Sequence, residues 1–151
     1  MAYRPTPGAP PHPPRLLGLD PGGRRTGVAL SDELGLFAHA RPAIQAATNG
    51  DLVTAVAALV LEGAISEIVV GLPIGLSGHD TDQTRLVREL AADLRSACHV
   101  PVTLWDERLS SVQASHSVKG AARRQSGELD SASAALILQA VLDSRRLAAA
   151  R

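Results

Sequence analysis

An α/β fold is what this 151-residue sequence predicts: a five-stranded mixed sheet, three antiparallel strands and then two parallel ones, flanked by helices. Three observations carry that expectation. Three short β-prone runs open the chain with brief connections between them, and short connections favour antiparallel hairpins. The apolar period then alternates between helical and extended twice, which gives two βαβ units with right-handed crossovers and parallel strands. The length suits a single domain, at about 100–200 residues per domain.

Residues 1–14 hold six of the ten prolines and almost nothing apolar, so they are expected to form a disordered or polyproline-like tail, with the folded domain covering 15–151. Leu16–Asp20 is the first strand and is broken by Pro21-Gly22-Gly23. Thr26–Ser31 is the second. Leu34–Ala40, set off by Asp32-Glu33, is a weaker third. Leu52, Val56, Leu59 and Val60 then share one helical face; Asn49 or Asp51 could cap that helix, and Gly63 sits where it would end. Ile68-Val69-Val70 is the fourth strand, running into Gly71-Leu72-Pro73 and a glycine-containing loop. Asp80 or Thr81 starts the next helix, with Leu86, Val87, Leu90, Ala91 and Leu94 inward and an Arg85–Glu89 pair outward. Val100–Trp105 is the fifth strand, closed by Asp106-Glu107-Arg108. A short helix over Ser110–Val118, a loop over 117–127 and a last helix from Leu129 to Ala149 complete the order βββ-α-β-α-β-α-α.

Composition excludes several classes. Lys+Arg and Asp+Glu are both 15, so the formal net charge is zero. A purely charge-driven nucleic-acid binder would be far more basic, and any such contact must be local. One cysteine, Cys98, allows no internal disulfide, and no CxxC pair offers a structural zinc site. Ser31, Ser110 and Ser111 have no evident base. No apolar stretch approaches the ~18–20 residues of a membrane span, and the N-terminus lacks the apolar core of a secretory signal. The expectation is a soluble, reduced, cytoplasmic protein.

Parallel strands gather their carboxyl ends at one edge, where ligands bind. Asp20 ends the first strand; it is either an ordinary Asp-Pro-Gly turn residue or a carboxylate held at that edge. Glu107 follows the last strand; it is either part of a solvated charge cluster or a second carboxylate at the same edge. Alternation lets only one of Asp106 and Glu107 face a given side, and the pattern leaves open which. Asp130 opens the last helix as an N-cap, or, on one stripe with Ala134, Ile137 and Val141, turns toward the protein and requires a partner such as a cation. Carboxylates without a histidine cage suit hard ions, Mg²⁺ or Mn²⁺, and two such ions ~3.5–4 Å apart can activate water and stabilise the leaving oxygen of a phosphodiester.

Basic residues flank the same positions: Arg24-Arg25 beside Asp20, Arg108 beside Glu107, and Lys119 with Arg123-Arg124 before Asp130. Each is either solvated loop charge or a contact to a phosphate backbone lying across the site. Arginine outnumbers lysine 14 to 1, which a GC-rich coding bias explains as well as phosphate binding does. With only Tyr3, Phe37 and Trp105 as aromatics, backbone and shape recognition fits better than base stacking.

Four segments, LLGLDPGGRRTGVALSD, VGLPIGLSG, LWDERLSSVQA and ELDSASAALILQAVLDS, resemble in order the signature segments of the YqgF/RuvX family over residues 15–147. These are RNase H-like nucleases, described as Holliday junction resolvases and as nucleases that finish small-subunit ribosomal RNA precursors. The resemblance implies an RNase H-like nuclease domain. It implies Asp20 as a metal ligand on the first strand, Glu107 as the acid of the Asp-Glu-Arg motif and Asp130 as the helix-borne acid. Arg25 and Gly27 match the motif after the first acid. Pro21 and Ser111 depart from residues usual in relatives, and the proline-rich tail has no counterpart. The leading expectation is a Mg²⁺- or Mn²⁺-dependent phosphodiesterase, a monomer or homodimer, that processes pre-16S rRNA; junction resolution in DNA is the alternative. A non-catalytic RNase H-like binding module is the competitor from another class. An actin-like phosphotransferase would need two lobes, for which 151 residues are too few.

Overall fold

The computed structural model describes Pro7, residues 13–109 and residues 126–150, with the backbone alone over 126–130. The expected tail lies largely outside the described residues, and so do the whole of the expected Ser110–Val118 helix and residues 117–125 of the expected 117–127 loop. The element order is β1 (Leu16–Pro21), β2 (Arg25–Ser31), β3 (Ala38–Gln45), α1 (Asn49–Glu62), β4 (Glu67–Leu72), α2 (Asp82–Cys98), β5 (Val102–Asp106), a 3₁₀ turn (Glu107–Leu109) and α3 (Ser126–Ala149).

One sheet contains all five strands in the order β3-β2-β1-β4-β5. The β1–β2 and β2–β3 pairs are antiparallel, and β1–β4 and β4–β5 are parallel. This is the mixed sheet of the RNase H-like fold. Because side chains alternate across a strand, each strand feeds two cores. Leu17, Leu19, Val28, Ile68 and Val70 pack on one face against Leu52 and Val56 of α1 and Leu90 and Leu94 of α2. Leu16, Ala29 and Val69 pack on the other against Ala134, Ile137, Leu138 and Val141 of α3.

Several boundaries differ from expectation, for local reasons. β3 begins at Ala38, not Leu34. Asp32 accepts the Leu36 N–H and, through its backbone oxygen, the Gly35 N–H, so residues 32–37 form a turn with Leu34 and Phe37 exposed. β3 instead continues through Pro42, tolerable because β3 is an edge strand and its register with β2 shifts between Thr26 and Val28. The α1 cap is Thr48, whose hydroxyl accepts the Asp51 N–H, and neither Asn49 nor Asp51. Thr81 caps α2 with Thr84 in a reciprocal capping box. Leu86 is half exposed, not inward, and Arg85 pairs with Asp82, not Glu89. The last helix starts at Ser126, before Leu129, so Asp130 lies inside its first two turns and is not its N-cap.

Candidate active site

β1 carries Asp20 to the carboxyl edge of the sheet. Leu17 and Leu19 face α1 and α2 and Leu16 faces α3, so alternation directs Asp20 to the α3 face. Asp20 pairs with Gly27 on β2 and is partly buried.

The same alternation resolves the Asp106 and Glu107 ambiguity. Leu104 packs with the α1/α2 core and Trp105 with the α3 core. Asp106 is engaged by Arg108: its carboxylate accepts the Arg108 backbone N–H at 2.9 Å, Nε at 3.0 and 3.1 Å, and Nη2 at 2.7 Å. That guanidinium holds the Asp106 carboxyl below the usual aspartate range. Glu107 lies over Gly71 on the α3 face. A Cβ on Gly71 would sit 3.2 Å from Glu107 Oε1 and 2.6 Å from Ile137 Cδ1 of α3. The β1–β4 register pairs Leu19 with Val70, so the next residues, Asp20 and Gly71, stand side by side. Adjacent strands are about 4.8 Å apart, so the backbone positions of Asp20 and Gly71 lie about one strand spacing apart.

α3 reaches the same place. Small residues let it press on β1: a Cβ on Gly18 would fall 2.9 Å from Leu138 Cβ and 3.2 Å from the Ala134 carbonyl oxygen. At the β2 register shift, the Val28 N–H donates to Ser131 Oγ at 3.1 Å, and Ser131 is fully buried. Val28 pairs with Leu19, and its neighbour Gly27 with Asp20. Residue 131 is thereby pinned beside the strand pair that carries Asp20, and Asp130 precedes it on the helix. Ala134, Ile137 and Val141, the stripe that Asp130 shares, are all buried against the sheet.

The structure thus places Asp20 and Glu107 on one face at the same edge of the sheet and the helix position of Asp130 near them; the Asp130 side chain lies outside the described residues. Among the described residues no three His, Cys, Asp or Glu side chains converge. Of the expected phosphate contacts, Arg24 sits in the β1–β2 turn and Arg25 opens β2, both exposed at this edge. Arg108 is committed to Asp106. Lys119, Arg123 and Arg124 lie outside the described residues. Gly71 and Ser131 were not anticipated. A glycine in a β-branched run commonly marks a close approach, and that was the available signal for Gly71; Ser131 had none beyond its place next to Asp130.

A family model described as RuvX, Holliday junction resolvase, matches residues 14–144. The chain belongs to the RuvX family. RuvX relatives described as candidate pre-16S rRNA nucleases include one from Koribacter versatilis, 39% identical over 87% of this chain and 88% of its own. One from Anaeromyxobacter sp. (strain K) is 38% identical over 87% and 98%. Among solved structures, Thermus thermophilus RuvC in complex with a Holliday junction substrate superposes with a TM-score of 0.61 at 15% identity, covering 88% of this chain and 96% of that one. That likeness is one of fold, and it agrees with the RNase H-like sheet.

Proposed function

We propose that this RuvX protein is a nuclease that hydrolyses phosphodiester bonds of structured nucleic acid with Mg²⁺ or Mn²⁺, and that its substrate is the pre-16S rRNA of the cytoplasm. The observation that carries the reading is the pairing of Asp20 and Glu107 on one face at the carboxyl edge, next to the start of α3. The donor chemistry fits a hard cation: carboxylate oxygens from two rigid elements, in a cradle that a side chain at residue 71 would fill.

Asp20 and Glu107, with Asp130, would hold the metal, two ions in the full reading. Once bound, such ions supply positive charge for water activation and for the leaving oxygen. The remaining work falls to the chain. Arg24 and Arg25 grip phosphates beside the scissile bond, with Lys119, Arg123 and Arg124 as further backbone contacts. Asp106 orients Arg108 and leaves Glu107 to the opposite face.

The test is cleavage of a pre-16S RNA fragment in Mn²⁺ by wild type and Asp20→Asn. The variant is expected to lose about 10²–10³-fold in rate or more while still binding RNA. Undiminished cleavage by Asp20→Asn would remove Asp20 from the site. Junction resolution is the second reading, favoured by the family description and the RuvC fold. Cutting of a four-way DNA junction without cutting of precursor RNA would select it.

A further inference from the structure

Beyond Leu72 the chain forms a small hairpin that projects from the same edge as Asp20 and Glu107. Ile74 and Asp80 bridge as an antiparallel pair. Within it, the Gly75 N–H donates to the His79 carbonyl at 3.1 Å and the Gly78 N–H to the Gly75 carbonyl at 2.8 Å. Gly78 takes the left-handed conformation, φ +83. A turn closed by a left-handed glycine is a standard hairpin loop, and Leu76 occupies its first corner.

Both limbs of the hairpin are braced on α2. The Thr84 hydroxyl donates to the Pro73 carbonyl. Arg88 grips Asp80 with two bonds, Nε to Oδ2 at 2.9 Å and Nη2 to Oδ1 at 3.1 Å. The tip also comes close to the turn after β5, since a Cβ on Gly78 would be 3.9 Å from Arg108 Nη1. On this braced tip Leu76 is 101% exposed, more than any other large apolar residue described. Single exposed leucines are common and need no explanation. Leu76 differs because it contributes no burial to the fold and stands on a hairpin braced at both limbs, beyond the end of the strand that carries Gly71.

We infer that Leu76 is a specificity-determining contact of this enzyme: an apolar wedge that inserts at a base step near the scissile phosphate and favours helical, structured substrate over single strands. The inference rests on the nuclease reading above. Leu76 is four positions beyond Leu72, so the tip lies within about 14 Å of the strand end. At about 3.4 Å per step, that is no more than about four base steps from the strand end. Inserted aliphatic side chains unstack such steps, at a cost repaid by new contacts.

The test compares Leu76→Ser and Leu76→Phe with wild type. Rates are measured on a hairpin RNA and on a single-stranded RNA of the same sequence around the cut. In the Asp20→Asn background, a 2-aminopurine placed one to four steps from the cut reports unstacking on binding. Leu76→Ser is expected to lower the hairpin-to-single-strand rate ratio about tenfold and to abolish the fluorescence rise, with an unchanged melting temperature. Leu76→Phe is expected to retain both. An unchanged ratio and an unchanged fluorescence rise in Leu76→Ser would overturn the wedge. If wild type cleaves neither RNA, the pre-16S rRNA reading fails, and the fluorescence comparison still decides the wedge; absence of RNA binding overturns both.

Discussion

On the α1/α2 face of the sheet the strands present Leu17, Leu19, Val28, Ile68 and Val70; on the α3 face β1, β2 and β4 present Leu16, Gly18, Ala29, Val69 and Gly71. The first face fills space with large branched side chains against two helices. The second alternates large and small: Leu16 and Val69 are buried under α3, while Gly18 lets the helix settle onto β1 and Gly71 leaves space for Glu107. Both faces bury a core, the α1/α2 core being the larger, and the α3 face keeps space beside Asp20 and Glu107.

Perturbing the two faces should therefore separate folding from activity. Leu94 is fully buried in the α1/α2 core. Leu94→Ala is expected to cost about 2–5 kcal/mol in denaturant unfolding, with the activity of the folded fraction retained. Gly71→Val should weigh more on activity. Its branches occupy the space of Glu107 and Ile137, so the expected effect is a loss of about 10–100-fold in cleavage beside a smaller overpacking cost of about 1–3 kcal/mol. Equal losses of stability in both variants would mean that the two faces do not divide these roles.

Ser131→Ala joins the two effects. It leaves the Val28 N–H without its acceptor, for a cost of about 1–3 kcal/mol. It also frees the start of α3 from β2, so activity should fall further than stability explains. The smallest effect concerns the opposite end of the sheet, where Arg145 donates to both oxygens of Glu67 and Thr103 donates to Oε2. These bonds, the Arg145 bond foremost, hold Glu67 below the usual glutamate range. A lowered native pKa gives stability that is present above the ordinary glutamate value and is lost as pH falls through the native one. The pair is partly exposed, so its worth is discounted to under about 1 kcal/mol. Arg145→Ala should be slightly less stable at pH 7 and should converge on wild type as pH is lowered through the depressed native value of Glu67, as read by melting temperature.

The sheet order was legible because Leu16–Asp20, Thr26–Ser31 and Ile68–Val70 are apolar runs cut by glycine, proline or charge. Their alternation and spacing determine both pairing and face. The third strand was misplaced because Leu34 and Phe37 look β-prone, yet Asp32 satisfies the backbone of that stretch and turns it. No propensity reveals such a side-chain bond, and an edge strand containing Pro42 reads poorly. At the site, Asp20 and Glu107 were visible as acids at strand ends. The choice of Glu107 over Asp106 needed the position of Arg108, and the cradle at Gly71 needed the register between β1 and β4. Those are tertiary facts, absent from any local window.

The most direct measurement is Mn²⁺ titration by calorimetry of the full chain, wild type beside Asp20→Asn and Glu107→Gln, followed by anomalous diffraction from Mn²⁺-soaked crystals. The expected result is binding at millimolar Mn²⁺ or below, weakened in both variants, with an ion about 2.1 Å from oxygens of Asp20 and Glu107. Wild-type protein that takes up no Mn²⁺, or an ion bound away from these two carboxylates, would contradict the shared cation site and leave a non-catalytic RNase H-like module in its place.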